Sequence, residues 1–355
     1  MPPPVTSGRG AAAPATPASA GLLRVIDFGQ VTPLRSQTLW HTVSYGVSGG
    51  QPATLSFTRP SAPYVCVGYH RDLAEVDRDY CLAEGLPVYR RMVGGGPVYL
   101  DDGQLFFQIC LPAATVPVAR LDALRLLLAP AVTAFRSVGV PARLDEDGEI
   151  CAGDRKICGH GAGQIEDAVV LCGNLIERFD HERATRVLAV ADPAQRAETL
   201  RLMRRYVAPT PVDASAFQAA MTRAYAQALG LDAAPGELTA TEELCLADLD
   251  DRFTSADWLA GPRRASGQAA RQVKVRAGVW TVAAQAGPAK VVASVVAGTV
   301  HRAWLTAPGL NGDTEAAERA VTGVPLPAVP EVLARFGEPG RQLAAAFAGA
   351  DGKRI

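Results

Sequence analysis

Arg90-Arg91-Met92-Val93-Gly94-Gly95-Gly96-Pro97-Val98-Tyr99-Leu100-Asp101-Asp102-Gly103-Gln104 is the most constrained stretch of this 355-residue sequence. Val88–Arg91 reads as a strand, and strands follow at Val98–Leu100 and Leu105–Cys110. Three consecutive glycines between strands cost backbone entropy, so some close approach must require them. Clustered main-chain N–H groups without a Cβ form a nest suited to phosphate or carboxylate. An arginine just before such a nest can give bidentate hydrogen bonds to phosphate oxygens. Successive strand side chains face opposite ways, so only one of Arg90 and Arg91 should meet a ligand. No Gly-Lys-Ser/Thr follows, so this is not a P-loop. The plainer reading is a glycine-rich bulge flanked by two surface arginines.

A second stretch, Gly148 to Gln164, carries Glu149, Lys156, His160 and glycines at 153, 159, 161 and 163. The sequence has 31 Arg but only four Lys, and Lys156 is the only lysine before Lys274. A compact ammonium suits a point where one charge must bridge converging oxygens. A surface lysine in a turn is the alternative. Glu149 could hold Mg²⁺, since hard cations take carboxylate oxygens, or it could be a solvated strand-end acid. Cys151, Cys158 and Cys172 are possible nucleophiles with His160 as the nearest base, yet they sit in apolar runs typical of buried thiols. Gly46-Val47-Ser48-Gly49-Gly50 matches G-x-S-x-G but follows a helix, whereas a nucleophile elbow follows a strand.

Working outward, Leu22–Ile26 reads as a first strand, Gln37–Val47 as a helix, and Ala53–Phe57 and Tyr64–Gly68 as strands. Val76–Glu84 is expected to be a short helix. Leu124, Leu128, Ala131, Phe135 and Val138 keep a 3–4 spacing, which predicts an amphipathic helix over 117–138. Helices are expected at 181–206 and at 214–229, the latter ending at Gly230, with a linker at Leu231–Gly236. Gln272–Gln285 and Lys290–Ala303 read as two strands of a hairpin, and a helical tail follows from Pro330. The expected architecture is α/β (α+β), with mixed sheets flanked by helices. Its parts are a disordered leader at 1–20, a catalytic domain at 21–232 and a small α+β domain at 238–355.

Lys plus Arg is 35 and Asp plus Glu 36, which argues against a strongly basic nucleic-acid binder. No apolar run approaches a membrane span. Seven cysteines without a C-x-x-C pair, and five histidines without metal spacing, point to reduced thiols in the cytoplasm and against a bound transition metal.

Together the two stretches resemble the lipoate–protein ligase A family, within the biotin/lipoate ligase and transferase superfamily. That family carries Arg-Arg-x-x-Gly-Gly-Gly-x-Val-x-His-Asp-x-Gly-Asn, matched by 90–104, and Asn-Asp-Ile-x-Val-x-Gly-Arg-Lys-Ile-x-Gly, matched by 148–159. Gly68-Tyr69-His70 and Gly163-Gln164 through Asn174 are similar as well. The likeness spans about 22–230, and the stretch from Asp251 resembles the family's accessory domain more loosely. The family His is Leu100 here, its Asn is Gln104, and its Asn-Asp is Gly148-Glu149.

The resemblance implies a two-step reaction. Lipoate or octanoate attacks ATP to give acyl-AMP, and a carrier-protein lysine then takes the acyl group. It implies Lys156 as the catalytic residue and Arg91, Gly94, Gly95, Gly96, Pro97, Val98 and Tyr99, with Lys156, as the nucleotide site. Arg90, Gly68, Tyr69, Leu100 and Gly159 would meet the acyl substrate, and Glu149 would hold Mg²⁺. The implied partner is a lipoyl domain or an H-protein-like carrier. Three other readings stand beside it: an ATP-independent octanoyl or lipoyl transferase, which uses a cysteine that the resemblance does not place here; a biotin ligase; and a non-catalytic carrier-binding protein.

Overall fold

The computed structural model describes residues 21–262, 270–310 and 312–350; the leader expected at 1–20 lies outside them. Strand β1 (Leu22–Val31) is followed by helix α1 (Arg35–Ser48) and strands β2 (Ala53–Pro60) and β3 (Tyr64–Val67). Helix α2 (Arg78–Ala83), whose end is capped by Asp77, leads to β4 (Val88–Arg90), β5 (Val98–Leu100) and β6 (Gln104–Pro112). Helix α3 (Arg120–Ser137) precedes β7 (Ala142–Leu144), β8 (Ile150–Ala152), β9 (Arg155–Lys156), β10 (His160–Ile165) and β11 (Ala168–Ile176). Helices α4 (His181–Arg186), α5 (Pro193–Tyr206) and α6 (Ala214–Leu229), strand β12 (Asp232–Pro235), and helices α7 (Ala240–Thr254) and α8 (Ala256–Ala260) come next. The C-terminal part holds strands β13 (Ala270–Arg276), β14 (Val279–Ala286), β15 (Ala289–Val296) and β16 (Thr299–Thr306). Helices α9 (Thr314–Val321), α10 (Val329–Ala334) and α11 (Gly337–Ala350) complete it.

The main sheet runs β10-β11-β6-β2-β1-β12, with β1 parallel to both β2 and β12 and the remaining pairs antiparallel. β6 is near its centre and eight of its nine residues are buried. A strand covered on both faces loses the simple in–out alternation, and the Leu105–Leu111 run shows it. One face packs Phe107 and Ile109 against Phe135 of α3 and Phe217 of α6; the other sets Cys110 and Val170 against Trp40, Val43 and Val47 of α1. Two three-stranded sheets, β4-β3-β5 and β7-β8-β9, carry the two sequence stretches singled out above. The α+β architecture of mixed sheets flanked by helices is thus present.

Local departures have local causes. The helix expected over 181–206 is broken into α4 and α5, because Asp192 caps a new helix with Pro193 in its first turn. The linker expected at 231–236 is β12, which adds to the free edge of β1 from Leu22 to Val25. The two strands expected at 272–303 are four. Gly278 and the Ala297-Gly298 pair all take positive φ and turn each run back on itself.

The β13–β16 meander packs α9, α10 and α11 on one face and meets α5 on the other. Its contact with α5 is largely polar. Thr199 and Gln195 reach Thr281, and Glu198 accepts from Ser294. Residues 240–260 behave differently, packing on α1 and β4. There the buried Arg24 of β1 grips Glu242 of α7 through two hydrogen bonds of 2.6 and 2.9 Å. Gly46 is needed for this approach, since a Cβ there would stand 2.0 Å from Glu242 Oε1.

Candidate active site

A cavity of about 760 Å³ opens between the glycine loop, the β7–β9 meander, the start of α3 and strand β13. Of the residues singled out from sequence, Arg91, Gly95, Gly96, Pro97, Val98, Leu100, Glu149, Lys156 and Gly159 line it. Arg90, Gly68, Tyr69, Gly94 and Tyr99 do not lie in its wall. Its lining carries six basic side chains against three carboxylates, a balance suited to a polyanion. Trp40, Leu100, Phe106 and Val169 supply apolar wall.

Strand alternation sends Arg91 to the cavity and Arg90 inward, as expected of a β-strand. Arg91 gives four hydrogen bonds, to Cys66 O, to Gly96 O and twice to Gly94 O, at 2.8–3.2 Å. Four of its five N–H donors are therefore spent inside the protein, three on the loop itself and one on β3. Arg90 is fully buried, and its guanidinium meets the carbonyls of Gly68, Tyr69, Arg71, Leu259 and Ala260. Burial pulls its pKa down, the nearby acids only partly offsetting this. It ties the loop after β3 to α8, a framework role in place of the substrate contact expected for it.

Gly95 has φ +99°, and Gly68 lies so close that a Cβ there would stand 2.0 Å from Gly95 O. Gly94 and Gly96 have nothing within 4 Å of the Cβ position, so packing inside the protein does not demand glycine there. The loop is anchored from beneath by His41 of α1. Its Nδ1–H donates to Gln37 O at 2.7 Å, which leaves Nε2 to accept from Met92 N–H at 3.0 Å. Tyr99 faces away into the apolar cluster with Val65 and Val67.

Lys156 is set in β9, paired with Cys151 of β8, and donates to Glu149 Oε1 at 2.8 Å. Burial alone would raise the Glu149 carboxyl, but the Lys156 charge and hydrogen bond, with help from Ala277 N–H and Lys274, hold it below the usual range. Asp145, Glu149 and Cys151 bring three ligand atoms within 4.8 Å of one another. A thiol is foreign to Mg²⁺, and both carboxylates are already paired with Lys156 and Arg276, so these residues do not fit a protein-held Mg²⁺.

The two motifs are joined through Asn174 of β11. It accepts from Gly159 N at 2.6 Å and donates to Gln104 Oε1 at 2.8 Å, so Gln104 connects the loop hairpin to the Lys156 segment. Sequence reasoning missed Arg271, Lys274 and Arg276 of β13 as cavity residues. The scarcity of lysine was the available signal, since Lys274 lines the same cavity as Lys156.

Burial holds the His41 pKa down to about 3; the Gln37 carbonyl opposes this and the charges of Arg252 and Arg91 add to it. Burial, then the Lys156 charge, holds His160 down to about 4. Both folded values lie below the unfolded value near 6.5, so the stability they confer is complete above that pH. It is lost as the pH falls from about 6.5 towards 4, at up to ~1.4 kcal/mol per pH unit for each ring. Urea titrations at pH 7.5, 6 and 5 should show this slope, and His160→Gln should remove about half of it.

Residues 36–226, more than half of the chain, match the model of the lipoyl protein ligase A/B catalytic domain, and the chain belongs to that family. Among its relatives is lipoate-protein ligase A subunit 1 of Thermoplasma acidophilum, 26% identical over 213 residues, covering 56% of this chain and 80% of that protein. The octanoyltransferase LipM of Moorella thermoacetica is 24% identical over 267 residues, covering 66% of this chain and 97% of that one. A solved structure of the bipartite Thermoplasma acidophilum ligase with its E2 lipoyl domain superposes with a TM-score of 0.60. It is 25% identical and covers 69% of this chain and 98% of that one. A lipoate-protein ligase A bound with ATP shares the fold at a TM-score of 0.57 and 23% identity, with 68% of this chain and 98% of that one covered. Ligases and transferases thus both stand among the relatives. No helix among the described residues is long and apolar enough to cross a membrane.

Proposed function

We propose that this protein is an ATP-dependent lipoate–protein ligase. The observation that carries the reading is the shared cavity, where Lys156 and the triple-glycine loop face one space with apolar wall and an excess of cations. In the first step a carboxylate oxygen of lipoate or octanoate attacks the α-phosphorus of ATP, and the bond to pyrophosphate breaks. In the second a carrier lysine amine attacks the acyl carbonyl carbon, and the bond to AMP breaks. Lys156 would meet the charge that develops on the α-phosphate and carbonyl oxygens. The open space beside Gly96 is where the mixed anhydride would pass close to backbone. Leu100, Phe106 and Trp40 would line the acyl chain. A lipoyl domain or H-protein-like carrier is the acceptor class, and seven free cysteines suit a reducing compartment such as the cytoplasm. We keep the division into a catalytic unit from 21 and a C-terminal α+β unit, with α7 and α8 assigned to the first by their packing.

The transferase reading requires a reactive thiolate. Cys172 is the cysteine in the cavity wall among the described residues, and burial pushes its thiol well above the ordinary range. Cys172 is half-buried rather than sealed off, but a neutral thiol is a poor nucleophile. Incubating the protein with lipoate, ATP, Mg²⁺ and a lipoyl-domain acceptor, then weighing the acceptor, tests the choice. An ATP-dependent gain of one lipoyl mass, retained within about threefold by Cys172→Ala, is the expected result. Gain only from a pre-acylated donor, abolished by Cys172→Ala, would establish the transferase instead.

A further inference from the structure

The Lys156 amine does not stand free in the cavity. It is held by Glu149 at 2.8 Å, and it must let go of that carboxylate to meet a substrate anion. Glu149 is only 5% exposed, so leaving it without a cation would be costly. Its second oxygen, Oε2, has no hydrogen-bond partner, and Arg276 Nε, which now donates to Ala277 O at 3.3 Å, lies 3.4 Å away.

Arg276 is itself firmly placed. Its Nη2 donates to Asp145 Oδ2 at 2.7 Å and its Nη1 to Asp154 O at 2.7 Å. Asp145 Oδ1 in turn accepts from Glu149 N at 2.8 Å. One guanidinium from β13 therefore spans the β7–β8 connection and the β8–β9 turn, the two ends of the meander that presents Lys156. While Lys156 stays, Asp145 and Glu149 face Lys156 and Arg276, and the charge of Lys274 also acts on Glu149. When Lys156 leaves, Arg276 is the cation already in reach of the stranded carboxylate. Its planar fork can serve Asp145 and Glu149 together, which a lysine cannot do.

We propose that Arg276 is a positioning residue that takes over Glu149 as Lys156 turns to the acyl-adenylate, an inference that rests on the ligase reading of Lys156. Arg276→Gln leaves Lys156 as the cation nearest Glu149 and so locks it in place. Single-turnover transfer from preformed lipoyl-AMP to a lipoyl domain should slow by about tenfold or more, the scale of stranding a buried charge. Arg276→Lys should recover only part of the rate. In Arg276→Gln/Glu149→Gln no carboxylate remains to hold the amine, and most of the rate should return.

A second measurement is independent of the reaction: acetylation of Lys156 by acetic anhydride at one fixed pH, followed by peptide mass spectrometry. Labelling should be slower in Arg276→Gln and restored in the double variant. If labelling follows this pattern while the wild-type protein neither makes nor uses lipoyl-AMP, the ligase reading fails and the pairing role stands. Wild-type transfer and labelling in Arg276→Gln would overturn the proposal. So would a loss that Glu149→Gln deepens in step with a falling melting temperature, since that is the signature of a framework residue.

Discussion

Lys156→Ala is expected to cut ATP-dependent lipoylation of a carrier domain by on the order of 10²-fold or more, equivalent to at least ~3 kcal/mol of transition-state stabilisation. The comparison is with the removal of one donor from an oxyanion site, and the geometry supports it. The amine projects from β9 into the cavity shared with the glycine loop, and its side chain is 18% exposed, so little water competes for its hydrogen bonds. The variant should still fold, because Glu149 retains Arg276 at 3.4 Å and lies beside Ala277 N–H. Single-turnover assays starting from lipoate with ATP, and separately from lipoyl-AMP, divide the loss between activation and transfer. Wild-type rates in both would remove Lys156 from the chemistry.

The largest expected effect on stability lies elsewhere. Glu242→Ala should destabilise the protein by about 3–5 kcal/mol, because Arg24 would keep its charge without a partner. Arg24 is 6% exposed, and its remaining partners are Thr54 Oγ1 and the Glu237 carbonyl. A double replacement, Arg24→Met with Glu242→Leu, should recover most of that loss, since well-packed apolar residues often match a buried ion pair. Urea unfolding of the three variants reads the difference. A Glu242→Ala loss below ~1 kcal/mol would mean that water reaches the guanidinium.

Much of the site was legible in sequence because its requirements are local. The glycine run and a lone lysine among arginines are visible in single stretches, and Gly95, Gly96 and Lys156 line one cavity. Arg90 and Arg91 show where local reading stops. Alternation correctly separates their directions, but only the fold reveals that Arg91 is spent on its own loop and that Arg90 braces α8. Of the contributions of β13, only Lys274 carried a signal, as one of four lysines; Arg271 and Arg276 carried none. Arg276 is 120 residues from Lys156 in sequence, and nothing in the run Arg271–Arg276 distinguishes a cavity-facing strand from a solvated one. The β12 edge was missed for a related reason. Ala-Ala-Pro has little strand preference, and its pairing depends on a free β1 edge that local propensity does not register.

The embrace of Arg90 by α8 has a practical corollary for dissecting the chain. Leu259 and Ala260 supply two of its carbonyl acceptors, and the indole of Trp258 donates to the Arg90 main-chain oxygen. A fragment truncated at Gly236 would expose the guanidinium and unseat the residues under the glycine turn, whereas one carried through Pro262 would keep them. A cut at the composition boundary therefore falls some 25 residues too early to keep Arg90 covered.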